Sequence, residues 1–238
     1  MLTSVGMMAH VRTGRSAECC ELPHTEAVED CLRVIFKLAG RNERTSTSAL
    51  AEQLDVSSPT VSAMLKRLEA GGLIERTRSH VGLTGHGERH ALDVTRRHRL
   101  IEAFLSQALG VPWDEVHDEA DALEHAISHR LEDRMDAFLG HPTHDPHGDP
   151  IPPANGAHVE AWETPLDQTS PGHRFQVERV SDRDSEALRY LAGLHITPGA
   201  VLEVMEREPF GGPLWVRVEG RRHALGPALA SVVHGRGA

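Results

Sequence analysis

The sequence predicts a multi-domain chain in which a mainly α N-terminal part precedes a small C-terminal β-barrel. Three observations predict it. Apolar residues recur at helical spacing from Val28 to Leu68 and again from Val116 to Phe138. Residues 141–171 hold seven of the 14 prolines, the mark of a linker. Beyond them, apolar and polar side chains alternate as they do in strands.

Each element has its own local signal. Residues 1–24 form an N-terminal extension, and the first folded unit covers 25–93. It opens with a helix carrying Val28, Leu32, Ile35, Phe36 and Leu38, which stops at Gly40. A Ser/Thr-rich stretch supplies N-caps for a short helix marked by Leu50 and Leu54, and Asp55-Val56-Ser57 makes a turn. Ser58 caps the next helix, with Pro59 at a position where the missing amide proton costs nothing. That helix places Val61, Met64, Leu65 and Leu68 on one face and ends at Gly71-Gly72. Residues 73–78 and 81–84 read as a β-hairpin behind it, so the unit is a winged helix-turn-helix.

Two longer helices, 85–109 and 113–139, are separated by Gly110-Val111-Pro112 and make up a helical domain, 94–141. The second is expected as one continuous helix. Its apolar stripe of Val116, Ala120, Leu123, Ile127, Leu131, Met135 and Phe138 calls for a partner. After the linker, 142–169, the last unit, 170–238, has strands at Phe175–Val180, Val201–Glu206 and Leu214–Val218, with a short helix from Asp184 to Leu194.

Composition excludes several classes. No stretch approaches the roughly 18 apolar residues of a membrane span, and residues 1–24 lack the apolar core of a secretory signal. Three cysteines, two of them adjacent, make no disulfide framework, so a cytoplasmic location is expected. The net charge of −10 by itself argues against nucleic acid, yet it is unevenly spread. Residues 25–97 carry 11 basic and 10 acidic side chains, whereas residues 98–141 carry 3 and 10. The field around Lys66, Arg67, Arg76 and Arg78 is positive, and phosphate contacts need only a local patch.

The acidic middle holds the informative pattern. His117, Asp121, Glu124 and His125 lie on one face of the predicted helix, at the margin of its apolar stripe. The preceding helix offers His98 and Glu102, and the first helix Asp30. Carboxylates crowded at the edge of a core repel one another unless a cation neutralises them. Oxygen with imidazole suits manganese, iron(II), cobalt or zinc. Each residue alone has a plainer explanation. With 17 histidines, a single one is more often merely exposed or hydrogen-bonded. His98 and Glu102 could be a surface pair, and Asp30 a first-turn acid. His144 and His147, in the linker, are not assigned to the site.

Here the sequence resembles the diphtheria toxin repressor and manganese transport regulator family of metal-dependent transcriptional repressors. The matching runs are 25–38, 50–54 and 57–62, Gly71-Gly72-Leu73-Ile74, 97–102, 116–125 and Gly148-Asp149-Pro150-Ile151-Pro152. The C-terminal unit resembles the SH3-like or FeoA-like domain of these regulators, most visibly at 191–204. The resemblance implies a primary metal site of Asp30, Asp121, Glu124 and His125. It also implies an ancillary site of His98, Glu102 and His117, completed by Glu178 or Asp182. Carboxylates at 30 and 121, where iron-type members carry Met and Cys, favour Mn(II), with Fe(II) second. Arg33 stands where manganese-type members carry a second acid. The resemblance further implies a homodimer on double-stranded operator DNA, with Ser57, Pro59, Thr60 and Ser62 at bases and Lys66, Arg67, Arg76 and Arg78 at phosphates.

The expected action is a shift of population, in which metal favours the arrangement that presents both recognition helices. Three alternatives stand beside it: an iron(II)-specific repressor of the same family, a helical metallohydrolase or di-metal oxidase, and a winged-helix sensor of an organic ligand.

Overall fold

The computed structural model describes residues 25–77, 80–154 and 162–238. The expected N-terminal extension, 1–24, and the wing residue Arg78 lie outside the described residues, as does part of the linker. Helix α1 (Glu26–Gly40) buries Val28, Cys31, Leu32, Ile35, Phe36 and Leu38, with Glu26 and Glu29 in its first turn complementing the helix dipole. Helix α2 (Thr47–Gln53) is capped by Ser46. The cap of α3 (Ser58–Ala70) is Ser57, whose side chain accepts from the Thr60 amide, one residue earlier than expected. Strands β1 (Ile74–Arg76) and β2 (Val81–Leu83) pair antiparallel as the wing. Leu32, Ile35, Leu50, Leu65 and Leu68 form one core that fixes α3 against α1. At the wing's base a Cβ on Gly87 would stand 1.9 Å from the Leu73 carbonyl oxygen, so only glycine lets α4 (Gly85–Phe104) approach so closely.

The predicted fifth helix is two helices. Helix α5 (Val116–Leu123) ends at Glu124, and α6 (His129–Phe138) starts afresh from Ser128, whose hydroxyl accepts from the Leu131 amide. A serine that caps a new N-terminus competes with continuation of the old helix. Val116 and Ala120 are buried and Ile127 and Met135 pack against them. Leu123, Leu131 and Phe138 remain 37%, 42% and 70% exposed, so the seven-residue stripe is two faces rather than one.

The C-terminal unit is an open sheet in the order β3-β8-β4-β5-β6-β7, not a closed barrel. Its strands are β3 (Thr164–Pro165), β4 (Arg174–Val180), β5 (Val201–Arg207), β6 (Leu214–Val218), β7 (Arg221–Leu225) and β8 (Val233–Gly237). The edge strands β3 and β7 do not pair with each other, and β3 is two residues ending in a proline, which donates no ladder bond. Helices α7 (Ser185–Gly193) and α8 (Pro227–Ser231) complete a core that includes Phe175, Leu188, Leu202 and Val216.

The start of the linker is not extended. Ile151 is buried against Leu100 and Ala103, and Arg96 and Arg99 donate to the carbonyls of Pro152 and Pro150 at 2.8 and 2.7 Å. The loop is thereby pinned to α4. The C-terminal unit in turn docks on the helices through Lys37–Asp182, Arg183–Glu43 and Arg189–Asp114 ion pairs.

Candidate metal centre and nucleic-acid face

Helix α4 is covered on more than one side, so its polar residues point inward where α1, α4 and the end of α5 meet. His98 is 4% exposed, Glu102 1% and Glu124 0%. Buried charges of this kind require partners. Four overlapping groups of three side chains bring their donor atoms within 4.8 Å of one another: Asp30, Glu124 and His125; His98, Asp121 and Glu124; His98, Glu102 and His117; Glu102, Asp145 and His147.

The expected primary set is divided by this geometry. Asp30 Oδ1 and Glu124 Oε1 lie 2.9 and 3.3 Å from His125 Nε2, while the other ring nitrogen lies 3.0 Å from Glu29. Both ring nitrogens are thus at hydrogen-bonding distance from carboxylates, and although burial pushes this imidazole down, Glu29, Glu124 and Asp30 raise it above its ordinary value. Asp121 instead turns toward His98 Nδ1 at 3.2 Å and accepts from Arg33 at 2.7 Å.

His98 joins the two sets. Its Nδ1 is 2.7 Å from Glu124 Oε2 and its Nε2 is 3.0 Å from Glu102 Oε1. Burial and the Arg33 charge push this imidazole down, but Glu102 and Glu124 outweigh them and raise it to about 9. His117 Nδ1 is 3.0 Å from Glu102 and 3.5 Å from Asp182. Of the two expected C-terminal contributors, Asp182 lies beside His117, whereas Glu178 faces Arg236 at 3.1 Å, and neither joins any of these groups among the described residues. Burial opposes the ionised form of Asp121 and of Glu124, yet Arg33 and His98 hold both below the usual carboxylate range.

Asp145 and His147 were not singled out by their sequence context, a proline-rich stretch that reads as linker. Both are buried, and Asp145 accepts from the amides of His147 and Asp149 at 2.8 Å each. Burial, with Asp149 and Glu102 nearby, raises the Asp145 carboxyl well above its ordinary value. His147 Nε2 donates to the Trp113 carbonyl at 2.6 Å, which leaves Nδ1 as the lone-pair nitrogen. Gly148, at φ +88°, holds the loop in place, since a Cβ there would lie 1.9 Å from the Glu178 carbonyl oxygen. The Asp-x-His spacing beside Gly148 is the signal that could have found the pair.

The residues fit a divalent cation. Glu124 Oε1 and His147 Nδ1 are buried acceptor atoms without a hydrogen-bond partner. A buried carboxylate oxygen and an imidazole nitrogen that accept no hydrogen bond are donors that a cation of hard to intermediate character takes.

In the winged unit, Ser57 at the N-cap of α3 and Pro59, Thr60, Lys66 and Arg67 along it are exposed, and Ser62 is half-buried. Ser57 Oγ and Thr60 Oγ1 are 2.8 Å apart at the helix N-terminus. Arg76 turns back toward Glu69 at 3.8 Å.

Comparison with known proteins agrees with this architecture. Residues 24–80 match the iron dependent repressor N-terminal DNA binding domain, 84–153 the iron dependent repressor metal binding and dimerisation domain, and 164–236 the FeoA domain. The chain belongs to the family of metal-dependent repressors that includes the diphtheria toxin repressor and the manganese-dependent repressors. A solved manganese-dependent transcriptional repressor in complex with manganese is 40% identical, with a TM-score of 0.84, over 89% of this chain and 100% of that one. The manganese regulator SloR is 33% identical, with a TM-score of 0.76, over 89% and 98%. The iron-dependent repressor IdeR of Mycobacterium tuberculosis is 40% identical over 128 residues, 53% of this chain and 56% of that protein. The match thus spans about half the length of such curated relatives.

Proposed function

We propose that this protein is a metal-activated transcriptional repressor that binds operator DNA as a homodimer, with Mn(II) its preferred activator and Fe(II) the second. The observation that carries the reading is the convergence of Asp30 from α1, His98 and Glu102 from α4, and Glu124 and His125 from the end of α5 into contiguous groups. Donors come from the winged unit and from the helical unit alike. A bound divalent cation supplies charge neutralisation and directed bonds that these carboxylates and imidazoles cannot supply to one another.

The chain's own residues couple this site to the recognition helix. Asp30 belongs to the helix whose apolar face carries α3, so the position of Asp30 relative to Glu124 and His125 sets the position of α3 relative to α5. Repulsion between Asp30 and Glu124 favours separation, whereas shared coordination favours the joined arrangement. A ligand shifts such an equilibrium only by its difference in affinity for the two states. The exposed apolar side chains Leu123, Leu131 and Phe138 on α5 and α6 suit a two-fold partner, which would set two α3 helices for successive major grooves roughly 34–36 Å apart. Ser57, Pro59, Thr60 and Ser62 would then approach bases while Lys66, Arg67 and the wing arginines hold phosphates. Carboxylates at 30 and 121 in place of sulfur ligands favour manganese.

The enzymatic alternatives have no comparable support, because the chain's family consists of DNA-binding regulators. The test is a mobility shift on the promoter DNA with chelator, then with Mn(II), Fe(II), Zn(II) or Co(II) restored anaerobically. Mn(II) is expected to restore binding best, and undiminished binding in chelator would overturn the reading.

A further inference from the structure

Helix α1 carries Arg33 and Lys37, and its C-cap is Arg41, at i, i+4 and i+8, one basic row directed into an acidic junction. Arg33 donates to Asp121 Oδ1 at 2.7 Å, lies 3.5 Å from Glu124 Oε1, and stands 3.2 Å from His98 Nδ1. Lys37 donates to both oxygens of Asp182, at 2.9 and 2.6 Å, and Arg41 approaches the same carboxylate at 3.4 Å. Of the acids held in this way, Asp121 and Glu124 belong to the ligand groups, and Asp182 lies 3.5 Å from His117 of one of them. Arg33 and Lys37 also share the wall of a cavity of about 20 Å³ with His98, Glu102 and Asp182, enough for one water-sized occupant.

We propose that Arg33 and Lys37 are internal counter-ions that compete with the metal for Asp121, Glu124 and Asp182, so that metal uptake is an ion exchange within the junction. The inference rests on the metal-site reading above. A guanidinium and a divalent cation drawn to one carboxylate repel each other at such short range, so the metal binds at the expense of the guanidinium contact. Metal affinity is then set by the ligands and by the hold of the two side chains that must withdraw. Removing Arg33 therefore makes the site bind metal more tightly although it removes favourable contacts from the metal-free chain. A residue that only supported the fold would give the opposite result for affinity.

The experiment compares the full chain with its Arg33→Gln, Arg33→Lys and Lys37→Gln variants. Mn(II) affinity is read by calorimetry or by loss of the free-ion paramagnetic resonance signal, and melting is followed with and without Mn(II). Arg33→Gln should bind Mn(II) at least tenfold more tightly, melt lower without metal, and show a larger metal-induced rise in melting temperature. Arg33→Lys, which keeps the charge, should stay near the parent, and Lys37→Gln should shift in the same direction as Arg33→Gln by less. Equal or weaker Mn(II) binding by both glutamine variants would overturn the proposal. Should Arg33→Gln fold only with metal, Lys37→Gln decides alone, because it touches Asp182 and not the Asp121–Glu124 pair. A parallel Asp121→Asn/Glu124→Gln chain keeps the two readings apart. If that chain still binds Mn(II) at parental strength, the site assignment fails; if it loses Mn(II) while the Arg33 and Lys37 variants match the parent, only the ion exchange fails.

Discussion

Replacement of Glu124 by glutamine removes one charge at constant volume from the point where two ligand groups overlap. The side chain is fully buried. Its Oε2 lies 2.7 Å from His98 Nδ1, and its Oε1 lies 3.3 Å from His125 Nε2 and 3.5 Å from Arg33 Nε. Stripping one partner from a buried ion pair costs roughly 3–5 kcal/mol. The loss here should be smaller, because His98 keeps Glu102 at 3.0 Å and Arg33 keeps Asp121 at 2.7 Å. About 1–3 kcal/mol, the cost of leaving a buried polar group without its partner, is the better figure. For a chain of this size that lowers the melting temperature of the metal-free protein by about 2–12 °C. Metal binding should suffer more. Loss of an outer partner that merely orients a ligand costs about 10–100-fold in metal affinity, and loss of a ligand itself should exceed that range. Calorimetric Mn(II) titration and thermal melting of the same samples measure both effects. Parental Mn(II) affinity, within twofold, would refute the role of Glu124 as a ligand, whatever the melting temperature does.

Three further outcomes are expected. Phe138→Glu places a charge on the most exposed apolar side chain of α6, and light scattering should show monomer where the parent shows dimer; an unchanged mass would remove this face from the interface. Lys66→Ala should reduce the slope of log affinity against log salt by about 0.9, the release of one phosphate's counterions, whereas an identical slope would move Lys66 off the DNA. The pH dependence comes from His98, raised from 6.5 to about 9 by Glu102 and Glu124 against the opposing effect of burial. A raised folded-state value contributes stability that is complete below pH 6.5 and lost as pH climbs through 9. The urea midpoint of the metal-free chain should therefore fall between pH 6.5 and 9.5, and a flat midpoint there would contradict the buried His98 pairing.

Much of this architecture was legible because it rests on local signals. The 3.6-residue apolar period, the Ser/Pro helix start near 58 and the Gly71-Gly72 stop define the winged unit, and alternation marks β4 to β6. What was not legible depends on competition between local and distant effects. Ser128 serves a helix interior or a cap equally well on paper, and only packing of α6 against α4 decides for the cap. Closure of the C-terminal sheet depends on whether its edge strands meet, which no single strand encodes. At the site, one helical face groups His117, Asp121, Glu124 and His125 on paper, whereas the structure divides them among three groups, and the turn of Asp121 toward Arg33 arises from α1, 88 residues away. Asp145 and His147 escaped because their prolines suggest an extended linker, whereas Arg96 and Arg99 tie that segment to α4.

The central claim is that metal and operator favour the same arrangement of α1 against α5. Reciprocity then requires each ligand to tighten the other by one common factor. The most direct measurement is the Mn(II) affinity of the purified chain with and without a saturating operator duplex. The account predicts tighter Mn(II) binding on DNA, by the same factor by which Mn(II) strengthens operator binding. Equal Mn(II) affinity in the two conditions would contradict it.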